Sequence, residues 1–532
     1  MKVPTWLLYA GAAGLLAFHV AEAVLRPVGH DDLWWDLAAG RYIVEKGEIP
    51  TTDVFSHTFA GQHWVNQEWL SHVLFYLLYE PFGEDAIVAL RAALVPLIFA
   101  VALVFCLVRT RGSWLVSLLV TAFGAAVCRE FLDARPQLFT FLFALLVLLA
   151  LELFRRHGRR RPLFFVPLVL LLWAQLHGGY IFGLMLLAGN LAAETGKKLL
   201  RLPAGELSWP DVGRLAAVTA LSGVAVLINP WTVEAYTHPF VMSELVSGGN
   251  PFLTVTEWQP PLFLQAEHFS PPTFWPFLAL VTLASLPVAV VRWRSFDCND
   301  VGLVAVVALF FALQHRRFIP LLVILALPQL AWALKWWTDR LFTGTRVRDA
   351  ALAVALLAWI WLAWMLPPRL AFLRAVYGDR SAPRDEGLAH VNLHLSYYPE
   401  AAVRFLRGLE VPGRMLNHYN WGGYLEYFLP RHPTFIDGRA QGVFSGEFYL
   451  TYLKVHFAHQ DWERILERYG VTWALIHQQA SVGLFEAMQR DPDWTLAFVH
   501  DASAVFFKEC DENRELLGGL RDRRLPITAE RR

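Results

Sequence analysis

Apolar runs long enough to cross a bilayer recur through roughly the first two thirds of this 532-residue chain, and that recurrence leaves few folds open. Hydrocarbon offers no water to backbone N–H and C=O groups, so a chain that threads it repeatedly does so as helices of about 17 to 25 residues. Such runs fall near 5–25, 86–108, 113–128, 137–154, 162–176, 179–196, 213–229, 273–291, 301–314, 318–334 and 350–366. They predict about eleven spans. The 56% hydrophobic and 17% charged content and the mean hydropathy of +0.39 agree with a polytopic helical membrane protein. The 46 basic residues balance 46 acidic ones, which gives no global electrostatic argument for nucleic acid as a partner. Cys106 and Cys128 lie in apolar segments, while Cys298 and Cys510 stand alone in polar ones. Without a C-x-x-C or zinc spacing, neither a disulfide nor a zinc site is predicted.

Loop charge sets the orientation. With the N-terminus in the cytoplasm, Arg109/Arg111, Arg155/Arg156/Arg159/Arg160/Arg161, Lys197/Lys198/Arg201/Arg214, Arg292/Arg294 and Lys335/Arg340/Arg346/Arg348 all fall on the cytoplasmic side. The loop of 230–272 carries Glu234, Glu244, Glu257 and Glu267 without a Lys or Arg, and falls outside with the long loop of 26–85. The first apolar run, with Ala21-Glu22-Ala23 near its end as a candidate cleavage site, reads as an uncleaved anchor in preference to a cleaved signal peptide. Residues 1–368 form the membrane domain of this reading, and 369–532 form an extracytoplasmic α/β domain of ordinary size. In the latter, YYPEAAVRFLRGLE, SGEFYLTYLKVHF and DWERILERYG read as helices, and VTWALIH, WTLAFVH and AVFFKE as strands, the last two a hairpin.

Polar chemistry collects outside the apolar runs. The segment DDLWWDLAAGRYIVEKG, read as a helix, sets Asp32 and Asp36 one turn apart, with Trp34 and Trp35 available to the lipid interface. Gly47 to Pro50 ends it, and DVFSHTFAGQHW has the turn-rich texture of a hairpin-like excursion bearing Asp53, His57 and Trp64. Arg135, His177, Asn229, Arg316 and Arg317 stand at the outer ends of different helices, a distribution suited to a phosphate at the interface and equally to snorkelling side chains. Downstream, Trp421-Gly-Gly-Tyr424 and Asp437-Gly-Arg439 offer close backbone approach and a charged turn. No G-x-x-x-x-G-K-[ST], H-E-x-x-H, G-x-S-x-G or G-x-G-x-x-G is present, so ATPase, zinc protease and hydrolase readings lack their usual support.

The stretches Asp32-x-Trp34-Trp35-x-Leu37-x-x-Gly40-Arg41-x-Ile43, Asp53-x-Phe55-Ser56-x-Thr58-x-x-Gly61-x-x-Trp64 and Glu68-Trp69-Leu70 resemble bacterial membrane proteins of the GT-C glycosyltransferase class. Arg135-Pro136, His177-Gly178, Asn229-Pro230, Trp421 to Tyr424 and Phe435 to Arg439 extend the likeness. This class is related to protein O-mannosyltransferases and to the lipid A aminoarabinose transferase. The resemblance implies a GT-C-like fold and inverting transfer of a sugar from a polyprenyl-phosphate-linked donor to an envelope lipid, glycan or protein. It places that activity at the outer face of the inner (cytoplasmic) membrane, among membrane lipids.

Carried onto this chain, the resemblance makes Asp32 the loop carboxylate acting near the acceptor, with Asp31 as its alternate and Glu68 beside them. Arg135, His177, Arg316 and Arg317 are then donor-phosphate groups. Asp36, Arg41, Asp53, His57, Trp64, Asn229, Trp421, Tyr424, Asp437 and Arg439 are further substrate-binding candidates. Relatives usually carry His where Asp36 stands, which separates position 36 from any shared role. Some members of the class bind a divalent metal, for which Asp31, Asp32 and Glu68 have suitable oxygen chemistry. A lipid or glycan flippase and a non-catalytic envelope glycan-assembly protein are the competing readings. The near absence of charge within the spans and the lack of an internal repeat weigh against a transporter.

Overall fold

The computed structural model describes residues 5–26, 32–201, 207–245, 251, 256–261, 273–291, 307–341, 345–364 and 398–522. Asp31, Cys298, the basic pair Arg292/Arg294 and the charged tail from 523 lie outside the described residues. The chain forms two compact units: Met1–Pro27, Asp85–Tyr236 and Val255–Asn392 make one, and Val28–Glu84, Thr237–Thr254 and Leu393–Arg532 make the other. The first polar loop thus folds with the C-terminal chain.

The first unit is a helical bundle. Among the described residues, six helices are long and apolar enough to cross a membrane: Trp6–Leu25, Glu84–Arg109, Trp114–Phe131, Gln137–His157, Phe274–Val291 and Arg316–Leu341. The expected run of 301–314 lies in part outside the described residues, and among those described the count of eleven is not reached. Residues 161–176 are a shorter apolar stretch, and Tyr180–Leu199, Trp209–Val226 and Thr345–Trp364 are helices with charged residues toward one end. Leu8, Ala12 and Leu15 pack with Leu115, Leu118, Ala122 and Leu356. Several basic residues assigned to cytoplasmic loops are buried at helix ends with carboxylates: Arg109 reaches Glu152 at 2.8 Å, and Arg155 and Lys197 share Glu194 at 3.1 and 2.8 Å.

The second unit contains a sheet of order β1-β2-β4-β3, with β1 Arg414–Asn417, β2 Val471–His477, β3 Trp494–His500 and β4 Ser503–Lys508. The expected strands and the β3–β4 hairpin form as read, and helices occupy Glu400–Arg407, Gly446–His456 and Trp462–Arg468. β1, which runs parallel to β2, and the helix Val482–Arg490 are additions. Alternate β2 and β4 residues, Ala474, Ile476, Ala504 and Phe506, face a core with Phe435, Phe448 and Trp462.

The helix Asp32–Lys46 forms as expected and packs on Trp69–Phe82. Trp34 departs from the interface expectation. It is 1% exposed within a nest of Tyr79, Tyr398, Tyr424, Tyr427 and Phe428. Consecutive helical residues point about 100° apart, so adjacent tryptophans do not share a face. The excursion after it closes through a Thr52–His63 bridge and attaches to the C-terminal chain through a Ser56–Thr434 bridge.

Candidate functional site

In the bundle unit, one short turn organises most of the predicted phosphate residues. Thr256–Trp258 is a single 3₁₀ turn. Arg135 Nη1 donates to Glu257 Oε1 at 2.7 Å, and the guanidinium of Arg317 lies 4.3 Å from the Trp258 ring centre. The backbone N–H of Arg316 donates to the Gln259 carbonyl at 3.0 Å, and His315 Nδ1 lies 2.7 Å from the Trp258 carbonyl oxygen. Guanidinium groups from two distant helix ends are therefore gathered by one acidic and aromatic turn, the arrangement that holds several cations together without mutual repulsion deciding the fold.

His177 belongs to the same end of the bundle. Its Nδ1 accepts from the Gly179 N–H at 2.9 Å and lies 2.8 Å from Thr140 Oγ1, which accepts in turn from the Trp173 indole at 2.9 Å. A Cβ at position 179 would stand 2.2 Å from Thr140 Oγ1, so the close approach requires glycine. Burial, and after it the charge of Arg317, pushes the imidazole down to about 3, which keeps it neutral at physiological pH. Asn229 is a local brace, donating to the Ala174 carbonyl at 2.6 Å and accepting from the Trp231 N–H.

In the other unit, Asp32 is half-buried at the start of its helix and accepts from the Trp35 indole at 3.2 Å. Asp36, one turn on, is fully buried against His72, with Oδ1 to Nε2 at 3.1 Å, and Glu68 Oε2 lies 4.0 Å from the same nitrogen. The His72 ring is pushed down to about 4, first by burial and in the opposite sense by Glu68. Sequence reasoning passed over His72, although Glu68-x-x-x-His72 is the one-turn spacing that puts two side chains on one helix face.

Much of the remaining candidate set is drawn into packing inside this unit. Asp53, Asp437 and Arg439 form one buried ion network. Arg41 donates to the carbonyls of Tyr427 and Glu426 at 2.8 and 2.9 Å and lies 4.8 Å from the Tyr427 ring centre. Trp64 lies 4.8 Å from the Arg439 guanidinium, and His57 Nε2 is 2.9 Å from the Met415 carbonyl oxygen. Trp421 stacks on His477 at 5.2 Å, and Tyr424 on Tyr398 at 4.9 Å. A cleft of about 270 Å³ opens beside the 32–46 helix, lined by Arg41, Tyr42, Glu45, Lys46 and His432.

No family model and no curated protein match the chain. Solved structures do. An apo crystal structure of the Archaeoglobus fulgidus oligosaccharyltransferase matches with a TM-score of 0.59 at 13% identity, covering 89% of this chain and 71% of that one. The archaeal oligosaccharyltransferase AglB of Archaeoglobus fulgidus, in complex with an inhibitory peptide and a dolichol-phosphate, matches with a TM-score of 0.57 at 12% identity, over 93% and 74%. A complex of the Archaeoglobus fulgidus enzyme with Zn and sulfate gives 0.53 at 14%, over 87% and 68%. At such identities what is shared is the fold.

Proposed function

We propose that this chain transfers a sugar from a polyprenyl-phosphate-linked donor to an envelope acceptor at the outer face of the cytoplasmic membrane, with inversion. The observation that carries the reading is the gathering of Arg135, Arg316 and Arg317 about the 256–259 turn. A fold shared with oligosaccharyltransferases supports it. In this reading Asp32 takes the proton of the acceptor hydroxyl as that oxygen attacks the anomeric carbon. The bond from that carbon to the phosphate oxygen breaks, and the polyprenyl phosphate leaves with the electron pair. Arg135, Arg316 and Arg317 neutralise the charge that develops on it, and neutral His177 donates or accepts a hydrogen bond beside them. Activation resides in the lipid-linked sugar, so no nucleotide site is required.

The test is incubation of the purified protein, in liposomes, with radiolabelled polyprenyl-phosphate sugars and envelope extract. Label is expected in an acceptor fraction, and Asp32→Asn is expected to abolish it while membrane insertion persists. Wild-type transfer by Asp32→Asn would refute the role of Asp32. Movement of the lipid across the bilayer with no glycosyl product would replace the transferase by a flippase.

A further inference from the structure

Two helices of the second unit cross so closely that polar side chains are forced together at their contact. A Cβ on Gly40 would lie 2.1 Å from the His72 carbonyl oxygen and 2.7 Å from Tyr76 Cβ, so the backbones meet here. Asp36 is one turn before Gly40, and His72 is the residue against which Gly40 packs. Glu68, at the N-terminal end of the second helix, is one turn before His72. Donor atoms of Asp36, Glu68 and His72 consequently all lie within 4.8 Å of one another.

The histidine is the informative member. Its side chain is fully buried, and neither ring nitrogen makes a hydrogen bond. Its Nε2 approaches Asp36 Oδ1 at 3.1 Å and Glu68 Oε2 at 4.0 Å, yet the nearer contact lies off the hydrogen-bond direction. A fully buried imidazole that makes no hydrogen bond and faces two carboxylate oxygens at these distances is placed to share an ion with them. Two donors bound to one ion through bonds of about 2.0 to 2.2 Å at a tetrahedral angle stand about 3.4 Å apart, between the two observed separations.

We propose that Asp36, Glu68 and His72 form a binding site for a divalent transition-metal ion of the zinc class. One imidazole nitrogen with two carboxylates suits zinc, cobalt or manganese better than calcium or magnesium, which favour all-oxygen cages, and better than copper(I), which favours thiolates. Three protein ligands leave a fourth position for water, and Glu68, 21% exposed at its side chain, stands where solvent reaches the cluster. The ion joins the two helices at their crossing. It also lies one side chain from Asp32, because the Trp35 ring meets His72 edge-on at 5.0 Å and its indole N–H donates to Asp32. The cysteines take no part, which is why a search for cysteine spacing passes over the site.

The inference stands apart from the transferase reading, because its readout is metal content and not turnover. Full-length protein in detergent, stripped with EDTA and dialysed against zinc, is expected to retain about one ion per chain and to unfold at higher temperature than the stripped form. Cobalt in its place is expected to give the visible absorption of a four- or five-coordinate site. Asp36→Asn and His72→Gln are expected to lose the ion. Glu68→Ala, at the accessible end of its helix, keeps the fold and is expected to weaken zinc binding at least about 10-fold. Wild-type protein that retains no zinc overturns the proposal, as does zinc content that Glu68→Ala leaves unchanged. In either event the cluster is a buried Asp–His contact and nothing more.

Discussion

Arg439 Nη1 lies 2.8 Å from Asp53 Oδ1, joining the outer loop to a turn far along the chain. The same guanidinium chelates Asp437, with Nε to Oδ1 at 2.9 Å and Nη2 to Oδ2 at 2.6 Å, and stands 3.9 Å from Glu426. Its faces are covered by Phe55 and Trp64 at 5.1 and 4.8 Å. Asp53 also accepts from the Phe55 and Ser56 N–H groups and the Ser56 hydroxyl, which fixes the turn that presents it. One buried cation against three carboxylates cannot balance if all are ionised. The structure resolves this at Glu426, whose carboxyl is held well above the usual range, first by burial and then by Asp437.

Arg439→Met is therefore expected to destabilise the second unit by about 3 to 5 kcal/mol, because removing one partner leaves buried charge uncompensated. Glu426→Gln is expected to change stability by less than about 1 kcal/mol, since it replaces a group that is already neutral with a neutral one of the same shape. Thermal unfolding of the two variants in detergent checks the contrast. Equal losses would mean that Glu426 is ionised.

The helix crossing gives a second expectation. Gly40→Ala puts a methyl group into the His72 backbone, where no flexible side chain can yield, and is expected to cost about 1 to 3 kcal/mol. Gly14→Ala is the matched control: it also lies within a helix, with nothing within 4 Å of the added carbon, and is expected to be neutral or slightly stabilising. A melting temperature that Gly40→Ala leaves as high as Gly14→Ala does would show that the crossing yields to the added methyl group.

What was legible in the sequence was mostly what is local. The β-branched and aromatic residues of VTWALIH give β2 residue for residue, and DLWWDLAAGRYIVEK gives its helix. β1 escaped because four residues carry no period of their own, and its parallel pairing with β2 is made across more than 50 intervening residues. The Asp437-Gly-Arg439 turn was visible, but Asp53 as its partner was not, because no spacing rule links residues so far apart. Likewise Glu68 and His72 share a helix face that spacing could have revealed, while Asp36 reaches them only through the fold. Arg135 and Arg317 were picked as helix-end cations; Glu257 and Trp258, which gather them, lie in a loop with no periodic signal.

The turn at 256–259 makes a functional prediction. Arg135→Ala and Arg317→Ala are each expected to lower kcat/KM for transfer by about 10²-fold or more, the usual effect of removing one group that stabilises developing charge. Arg317→Lys keeps the charge but loses the planar stack on Trp258, and is expected to recover only part of the rate. Steady-state kinetics with a lipid-linked sugar donor measures all three. Full rates in both alanine variants would leave the bundle's cationic cluster as a purely structural feature.

His418, His456 and His477 form a cluster with rings 5.3 to 5.7 Å apart about His418, which also meets Trp421 edge-on. His456 is tied to Ser481 Oγ at 2.9 Å, and His477 Nδ1 accepts from the Ala480 N–H at 3.2 Å. Burial, with the two neighbouring imidazoles acting in the same direction, pushes His418 from 6.5 down to about 3. His456 and His477 are lowered too, again chiefly by burial. An imidazole with a depressed folded-state value binds its proton more readily in the unfolded chain, so the unfolded state takes up protons first as pH falls. Stability is then intact above about pH 6.5 and declines toward about pH 3, by up to about 1.4 kcal/mol per pH unit for His418. Hydrogen-exchange protection of β2, followed between pH 7 and pH 4, is expected to fall along that slope, and His418→Gln is expected to flatten it. An unchanged slope in that variant would assign the acid sensitivity to other groups.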